Sequence, residues 1–321
     1  MTAATEREAG LGALQRVGRW LSRALLEPDY PLVAVEVRPR AIAAVRLQRE
    51  GRRLTLGAAS VVDLPAGTLD VSLTRSNVTN PEAFRSTLRS ALERAGALSG
   101  GGISLVLPDP AVRLALLPAA GLRGRRIEAE ETVRFRLHKA LPFDVRSARL
   151  AWDASAGEQA LVAVVLEEVV RGYEEALEAL GFHPGVVEAS SLALSSLDGA
   201  ASQGDRLLVN WEQGYVSFVL SRAGQPLLLR TLPGDDGAEA VGRHATSTLQ
   251  FHRDRLGGQG LDDVVVRSCA VPADEALATL GRALGTTPRL LQPWAALGLA
   301  EAGPAAHGVA GAAATALRRA A

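Results

Sequence analysis

Few of the 321 residues combine a reactive type with a spacing that could do chemistry. The five histidines are His138, His183, His244, His252 and His307. Only His244 and His252 fall on one expected helix, two turns apart, which is too far for an i,i+4 metal pair. The single cysteine, Cys269, can form neither an internal disulfide nor a multi-thiolate metal site, and behind an apolar strand it reads as packing. Paired carboxylates occur, but in bland settings. Glu167-Glu168 and Glu174-Glu175 read as the solvated face of a helix, with Arg171 spaced to pair with Glu167 or Glu175. Asp235-Asp236 and Asp262-Asp263 flank turns and strand starts. Gly100-Gly101-Gly102 precedes a strand, whereas a phosphate loop would come after one. With no glycine-framed nucleophile and no Ser/His/Asp set at recognisable spacing, these residues do not read as a hydrolase.

The composition narrows the choice further. Thirty-five basic and 35 acidic residues cancel, which argues against a nucleic-acid binder working through bulk charge. Lys139 is the only lysine, so 34 of the 35 basic residues are arginines, a compositional bias rather than a functional signal. The 47% hydrophobic content supports a sizeable core, and with only 4% aromatic residues Ala, Leu and Val must fill it. No signal peptide is expected, because Glu6, Arg7 and Glu8 precede any apolar run. The longest such run, Ala160 to Leu166, is far short of the ~20 residues that span a bilayer. The expected compartment is the cytoplasm.

The elements that must position any site begin with residues 11–26, where Leu11, Leu14, Val17, Leu21 and Leu25 share one helical face and Arg16, Arg19 and Arg23 the other. Such a helix suits the protein body, an anionic membrane surface or a docking partner. Three strands are expected next, at 32–38, 41–49 and 52–63, with turns at Arg38-Pro39-Arg40 and Glu50-Gly51. A helix comes after them with Asn80 as N-cap, Pro81 in its first turn, and Phe84, Leu88 and Leu92 buried. A strand at 103–107 closes this unit. The second half repeats the order: strands at 206–211, 214–221 and 226–231, a helix at 236–256, and a strand at 262–267. A helix at 273–284, a short strand near 288–291 and an Ala-rich helix near 305–319 complete it. Three strands, a helix and a strand, twice, about 170 residues apart, is an internal duplication. Two such units facing across a cleft form the architecture of the actin, heat-shock chaperone and sugar-kinase superfamily. The expected fold is therefore α/β, an actin-like ATPase (duplicated ribonuclease-H-like) fold with an inserted small α+β subdomain.

The insertion contains expected strands at 112–117, 149–154 and 160–166 and helices at 127–140 and 167–180. The boundaries read as an N-terminal helix within 1–30, a first lobe of 31–109 plus 189–204, an inserted subdomain of 110–188, and a second lobe of 205–321. The stretch Glu130 to Asp153, with its Leu141-Pro142-Phe143 turn and its strand ending in Trp152-Asp153, resembles the PilM family of type IV pilus assembly proteins. So do residues 161–194 (LVAVVLEEVVRGYEEALEALGFHPGVVEASSLAL) and 248–255 (TLQFHRDR). The likeness runs from about Leu32 to Leu317.

The resemblance implies a nucleotide cleft, and here its motifs are degenerate. In that superfamily two hairpins clamp ATP, each offering an Asp for water-bridged magnesium and a glycine turn whose N–H groups approach phosphate. The first motif reads Val35-Glu36-Val37-Arg38-Pro39, with Arg38 in place of glycine and Pro39 lacking an N–H. The second reads Asn210-Trp211-Glu212, an amide for the acid and an acid for the glycine. A carboxylate ~4 Å from a phosphate charge costs about 4 kcal/mol at an effective dielectric of about 20. That is half of the ~8 kcal/mol of a micromolar affinity. The adenosine motif, normally Gly-Gly, is Arg267-Ser268-Cys269-Ala270. Glu36, Arg38, Asn210, Glu212 and Ser268 are thus the cleft positions, expected to have lost nucleotide function. Because the two phosphate hairpins face each other in that fold, two readings of Arg38 and Glu212 stay open: two separately solvated side chains, or an ion pair in the place of the phosphates that holds the lobes in one closure state.

By resemblance, the expected function is a cytoplasmic scaffold at the inner face of a bacterial inner membrane, serving a type IV pilus or related secretion platform. It would bind the cytosolic tail of a PilN-like single-pass membrane protein, along with motor or platform components, in a groove involving the first lobe and its insertion. A ring of copies is also implied. Neither catalytic residues, nor a metal, nor a cofactor is expected. The alternatives are an active actin-like ATPase using ATP and magnesium, or a GspL- or FtsA-like actin-fold protein of secretion or cell division.

Overall fold

The computed structural model describes residues 31–51, 53–155, 157–197, 204–234, 236–292 and 308–317. The amphipathic segment 11–26 lies outside the described residues. The first sheet is built from β1 (Val33–Arg38), β2 (Ala41–Glu50), β3 (Arg53–Asp63), β4 (Gly101–Leu107) and β8 (Phe182–Ala189), in the order β3-β2-β1-β4-β8. The second uses β9 (Asp205–Glu212), β10 (Tyr215–Arg222), β11 (Gln225–Pro233), β12 (Asp263–Ser268) and β13 (Arg289–Leu290), in the order β11-β10-β9-β12-β13. In each sheet the central strand, β1 or β9, pairs antiparallel with its hairpin partner on one side and parallel with β4 or β12 on the other. The duplication read from the sequence is thus a duplication of sheet order.

Local chemistry accounts for the helices on these sheets. Helix α1 (Pro81–Arg94) is capped by the Asn80 side chain, which accepts from the Ala83 N–H, and Pro81 needs no donor in the first turn. Its Phe84, Leu88 and Leu92 stripe enters the first core with Val35, Val37 and Leu105. Helices α5 (Ala238–Leu256) and α6 (Ala273–Leu284) end at Gly257 and Gly285, whose φ values of 65° and 67° are the left-handed turn that glycine permits. They cover the second core through Val241, Ala245, Ala276 and Leu280.

The inserted unit is smaller than expected. It is a three-stranded sheet, β5 (Arg113–Pro118), β7 (Gln159–Leu166) and β6 (Ala148–Asp153), covered on one face by α2 (Arg126–Leu137). Helix α3 (Glu167–Glu178), expected within the insertion, buries Val169, Val170, Tyr173 and Leu177 in the first lobe's core. Strand β8 comes next and pairs with β4, so it too belongs to the first lobe. Pro184 and Gly185 disguise β8 as a turn; at the outer edge of a sheet a proline removes no ladder bond, and the β4–β8 register shifts beside it.

The closing helix α7 (Ala310–Leu317) also corrects an expectation. Every residue of it is buried, and it packs on β1, β2, β4 and the short α4 (Ser190–Ser195). Ala312, Ala313 and Ala316 meet Ala34, Ala43 and Val45 of the first sheet, while Ala310 meets Leu208 and Val265 of the second. The chain therefore returns to the first lobe at its end. Small side chains make this possible, since bulkier ones would not fit a helix between two sheets. No helix among the described residues is long and apolar enough to cross a membrane.

Candidate functional site

Strands β1 and β9 occupy the same position in the two sheets, and both end toward the cleft between the lobes. Alternation along a strand puts Glu36 and Arg38 on one side of β1, and Asn210 and Glu212 on the same side of β9. All four are buried, and their partners cross the cleft. Arg38 Nε donates to Glu212 Oε1 at 2.8 Å and its Nη2 to Glu212 Oε2 at 3.3 Å, a two-pronged contact. Arg38 and Glu212 are therefore joined as an ion pair and not separately solvated, which settles between the two readings.

A second arginine completes the group, one that sequence reasoning passed over. Arg267, on β12, is wholly buried. Its Nη1 lies 2.7 Å from Glu212 Oε1 and donates to Asn210 Oδ1 at 3.0 Å. Its Nη2 reaches across the cleft to Glu36 Oε2 at 3.1 Å. Each lobe thus supplies one cation and one anion, and each cation has a carboxylate from the opposite lobe. The available signal was an arginine directly after the three valines of DVVVRS.

The remaining polar atoms are closed off by a surrounding shell of hydrogen bonds. Ser190 Oγ donates to Glu36 Oε1 at 2.8 Å. Asn210 Nδ2 donates to Asp109 Oδ2 and to Ser190 Oγ, both at 3.1 Å. Asp109 also accepts from the Ser191 N–H at 2.8 Å and from the Ser191 hydroxyl. Ser268 does not join this group: its hydroxyl donates to the Val271 carbonyl at 2.7 Å, closing the turn after β12.

Burial pushes the Glu36 carboxyl above the ordinary range, against the pull of Arg267. Burial acts the same way on Glu212, but Arg267 and Arg38 together outweigh it and hold that carboxyl below the ordinary value. Burial opposes the charge on Arg267, and Cys269, Glu36 and Glu212 more than reverse this, so its pKa is raised. Burial also pushes the Cys269 thiol up to about 11, so it is protonated at neutral pH. Glycines at and just before α7 make room for the charges. A Cβ on Gly311 would sit 2.5 Å from the Glu36 carboxyl carbon, and one on Gly308 would sit 3.3 Å from Arg38 Nη1. No cluster of three metal-ligating side chains occurs among the described residues.

A second feature lies beside the cleft. Strand β7 alternates buried and half-buried positions, yet both faces are apolar. Ala160, Val162 and Val164 pack under α2. Leu161, Ala163 and Val165 instead line a groove of about 400 Å³, whose opposite wall is Leu107, Val187 and Leu192 of the first lobe. Arg149 stands at this groove and is held by Glu167 (2.7 and 2.8 Å) and Glu174 (2.6 Å) across the seam between insertion and lobe. Trp152 also lines it, with its Nε1 donating to the Leu122 carbonyl and the Arg126 guanidinium 6.0 Å from its ring. The unbroken apolar run 160–166 was the sequence sign of this second face.

No protein-family profile matches the chain, and no curated protein does. Solved structures do. A structure described as a PilM-PilN type IV pilus biogenesis complex superposes with a TM-score of 0.73 at 20% identity, covering 91% of this chain and 98% of that one. A Bacteroides thetaiotaomicron protein with an actin-like ATPase fold and unknown function superposes with a TM-score of 0.53 at 8% identity, covering 81% of this chain and 90% of that one. Sheet order, inserted unit and these likenesses agree that the chain has the actin-like fold.

Proposed function

We propose that the chain is a scaffold at the cytoplasmic face of a type IV pilus or related secretion platform, that it does not hydrolyse ATP, and that it binds the cytosolic tail of a PilN-like single-pass membrane protein. The observation that carries the assembly reading is the likeness, over nearly the full length of both chains, to a structure of a PilM-PilN complex. The groove between the inserted sheet and the first lobe supports a peptide partner. It is apolar along its floor and edged by Arg149 and Asp153, which suits an extended segment with apolar anchors and a few polar contacts. The filled cleft supports the absence of hydrolysis, because the residues in the place of the metal-directing acid and phosphate-facing glycines bond to one another.

The test is fluorescence anisotropy with a labelled peptide of the tail of the PilN-like protein encoded in the same genome. Wild-type protein is expected to bind it, and Ala163→Trp, which fills the groove, is expected to weaken binding at least tenfold without unfolding the lobes. A tail that does not bind, or that binds the filled groove equally well, overturns the reading.

A further inference from the structure

We propose that Glu36, Arg267, Glu212 and Arg38 form a latch that fixes the two lobes in one closure state independently of nucleotide, with Arg267 as its keystone. The latch stands apart from the identity of any partner.

The four charges are divided evenly between the lobes. Glu36 and Arg38 come from the first lobe, Glu212 and Arg267 from the second, and the pairs run Arg38–Glu212 and Arg267–Glu36 across the cleft. Arg267 also touches Glu212 within its own lobe, so one guanidinium joins both carboxylates. Removing it leaves two buried anions with one cation. Buried ion pairs add little net stability compared with well-packed apolar groups, but here they specify geometry, because any other alignment strands a charge away from water. A slide or rotation of one lobe by a few ångströms would separate both cross-cleft pairs at once. The Asn210–Asp109 bond crosses the same boundary and would break with them. Helix α7 closes the space behind, its Gly311 against Glu36 and its Ala310 against the second sheet. The closed arrangement is therefore singled out by charge register, a role that a shared ligand would otherwise perform.

The experiment measures the distance between the lobes. Spin labels are attached at Ser86→Cys on α1 and Ser247→Cys on α5, both exposed positions, in a Cys269→Ser background. Electron–electron resonance on the full chain should give one narrow distance distribution, unchanged by saturating Mg-ATP. Arg267→Met is expected to abolish that single narrow distribution while far-UV circular dichroism stays native. Should Arg267→Met fail to fold, the charge-balanced double variant Glu36→Gln with Arg38→Met decides alone: it leaves Arg267 paired with Glu212 inside the second lobe and no ion pair across the cleft, and loss of the narrow distribution is again expected. A folded variant that keeps the wild-type distribution overturns the latch. So does a wild-type distribution that shifts with Mg-ATP.

Discussion

Arg38 and Glu212 stand at equivalent positions of the two halves of this chain, 174 residues apart, and their head groups meet at 2.8 Å across the cleft. A duplicated fold would tend to place like residues at like positions. Here the two copies have opposite charges at the same place, so the pseudo-symmetric approach of the hairpins becomes attraction. Glu36 and Asn210, two residues earlier on each strand, show the same divergence: one keeps a carboxylate and binds Arg267, and the other accepts from Arg267 as a neutral amide.

Gly311→Ala tests how tightly the charged cluster is enclosed. The new methyl would lie 2.5 Å from the Glu36 carboxyl, which is itself held by Arg267 and Ser190 and cannot swing away. The expected loss is about 1–3 kcal/mol, the usual range for overpacking. Gly242→Ala on α5 is the control: its Cβ would find Thr279 at 3.7 Å and Ala283 at 3.9 Å, ordinary contact. That change is expected to be neutral or stabilising by up to about 1 kcal/mol. Urea unfolding of the two variants checks the contrast, and equal midpoints would contradict the enclosure of Glu36.

A different ion pair should carry much of the acid sensitivity of the second lobe. Arg222 donates to Asp205 at 2.5 and 2.7 Å, and His252 Nε2 lies 2.5 Å from the same carboxylate. The Arg222 bonds, helped by His252, hold Asp205 down at about 2. A carboxyl depressed in the folded state stabilises fully above its unfolded value of about 3.9 and loses that contribution as pH falls through the folded value. Wild type should therefore exceed Arg222→Met in urea midpoint at pH 5–7, with the gap narrowing as pH falls from about 4 toward 2. A gap that stays constant to pH ~2.5 would show that the difference does not come from this pair.

How much of the molecule was legible in the sequence depends on whether the signal was local. Helix α1 announced itself through Asn80, Pro81 and the Phe84, Leu88 and Leu92 stripe. The strands of the hairpins β1–β2 and β9–β10 could be read from their apolar and β-branched residues, whereas the juxtaposition of Arg38 and Glu212 came into view only through the resemblance to a fold whose hairpins face each other. Strand β8 was hidden because Pro184 and Gly185 are turn residues whose cost vanishes only at a sheet edge, a fact of tertiary structure. The docking of α7 on the first lobe is likewise a long-range choice that a short run of mostly small residues does not encode locally. Arg267 was in view as a missing glycine of a motif. Its role emerges only when Glu36 from another lobe lies 3.1 Å away.

Arg38, Glu36, Glu212 and Arg267 bond to one another where the lobes meet, and calorimetric titration of the full chain with Mg-ATP is the sharpest test of the proposal that they leave no nucleotide site there. The concentrations must be able to detect a dissociation constant of ~100 µM, about 5.5 kcal/mol of binding. No binding heat above that of dilution is expected. One-site, magnesium-dependent binding would contradict the filled cleft, because Arg38, Arg267 and both carboxylates would then have to give way to phosphate.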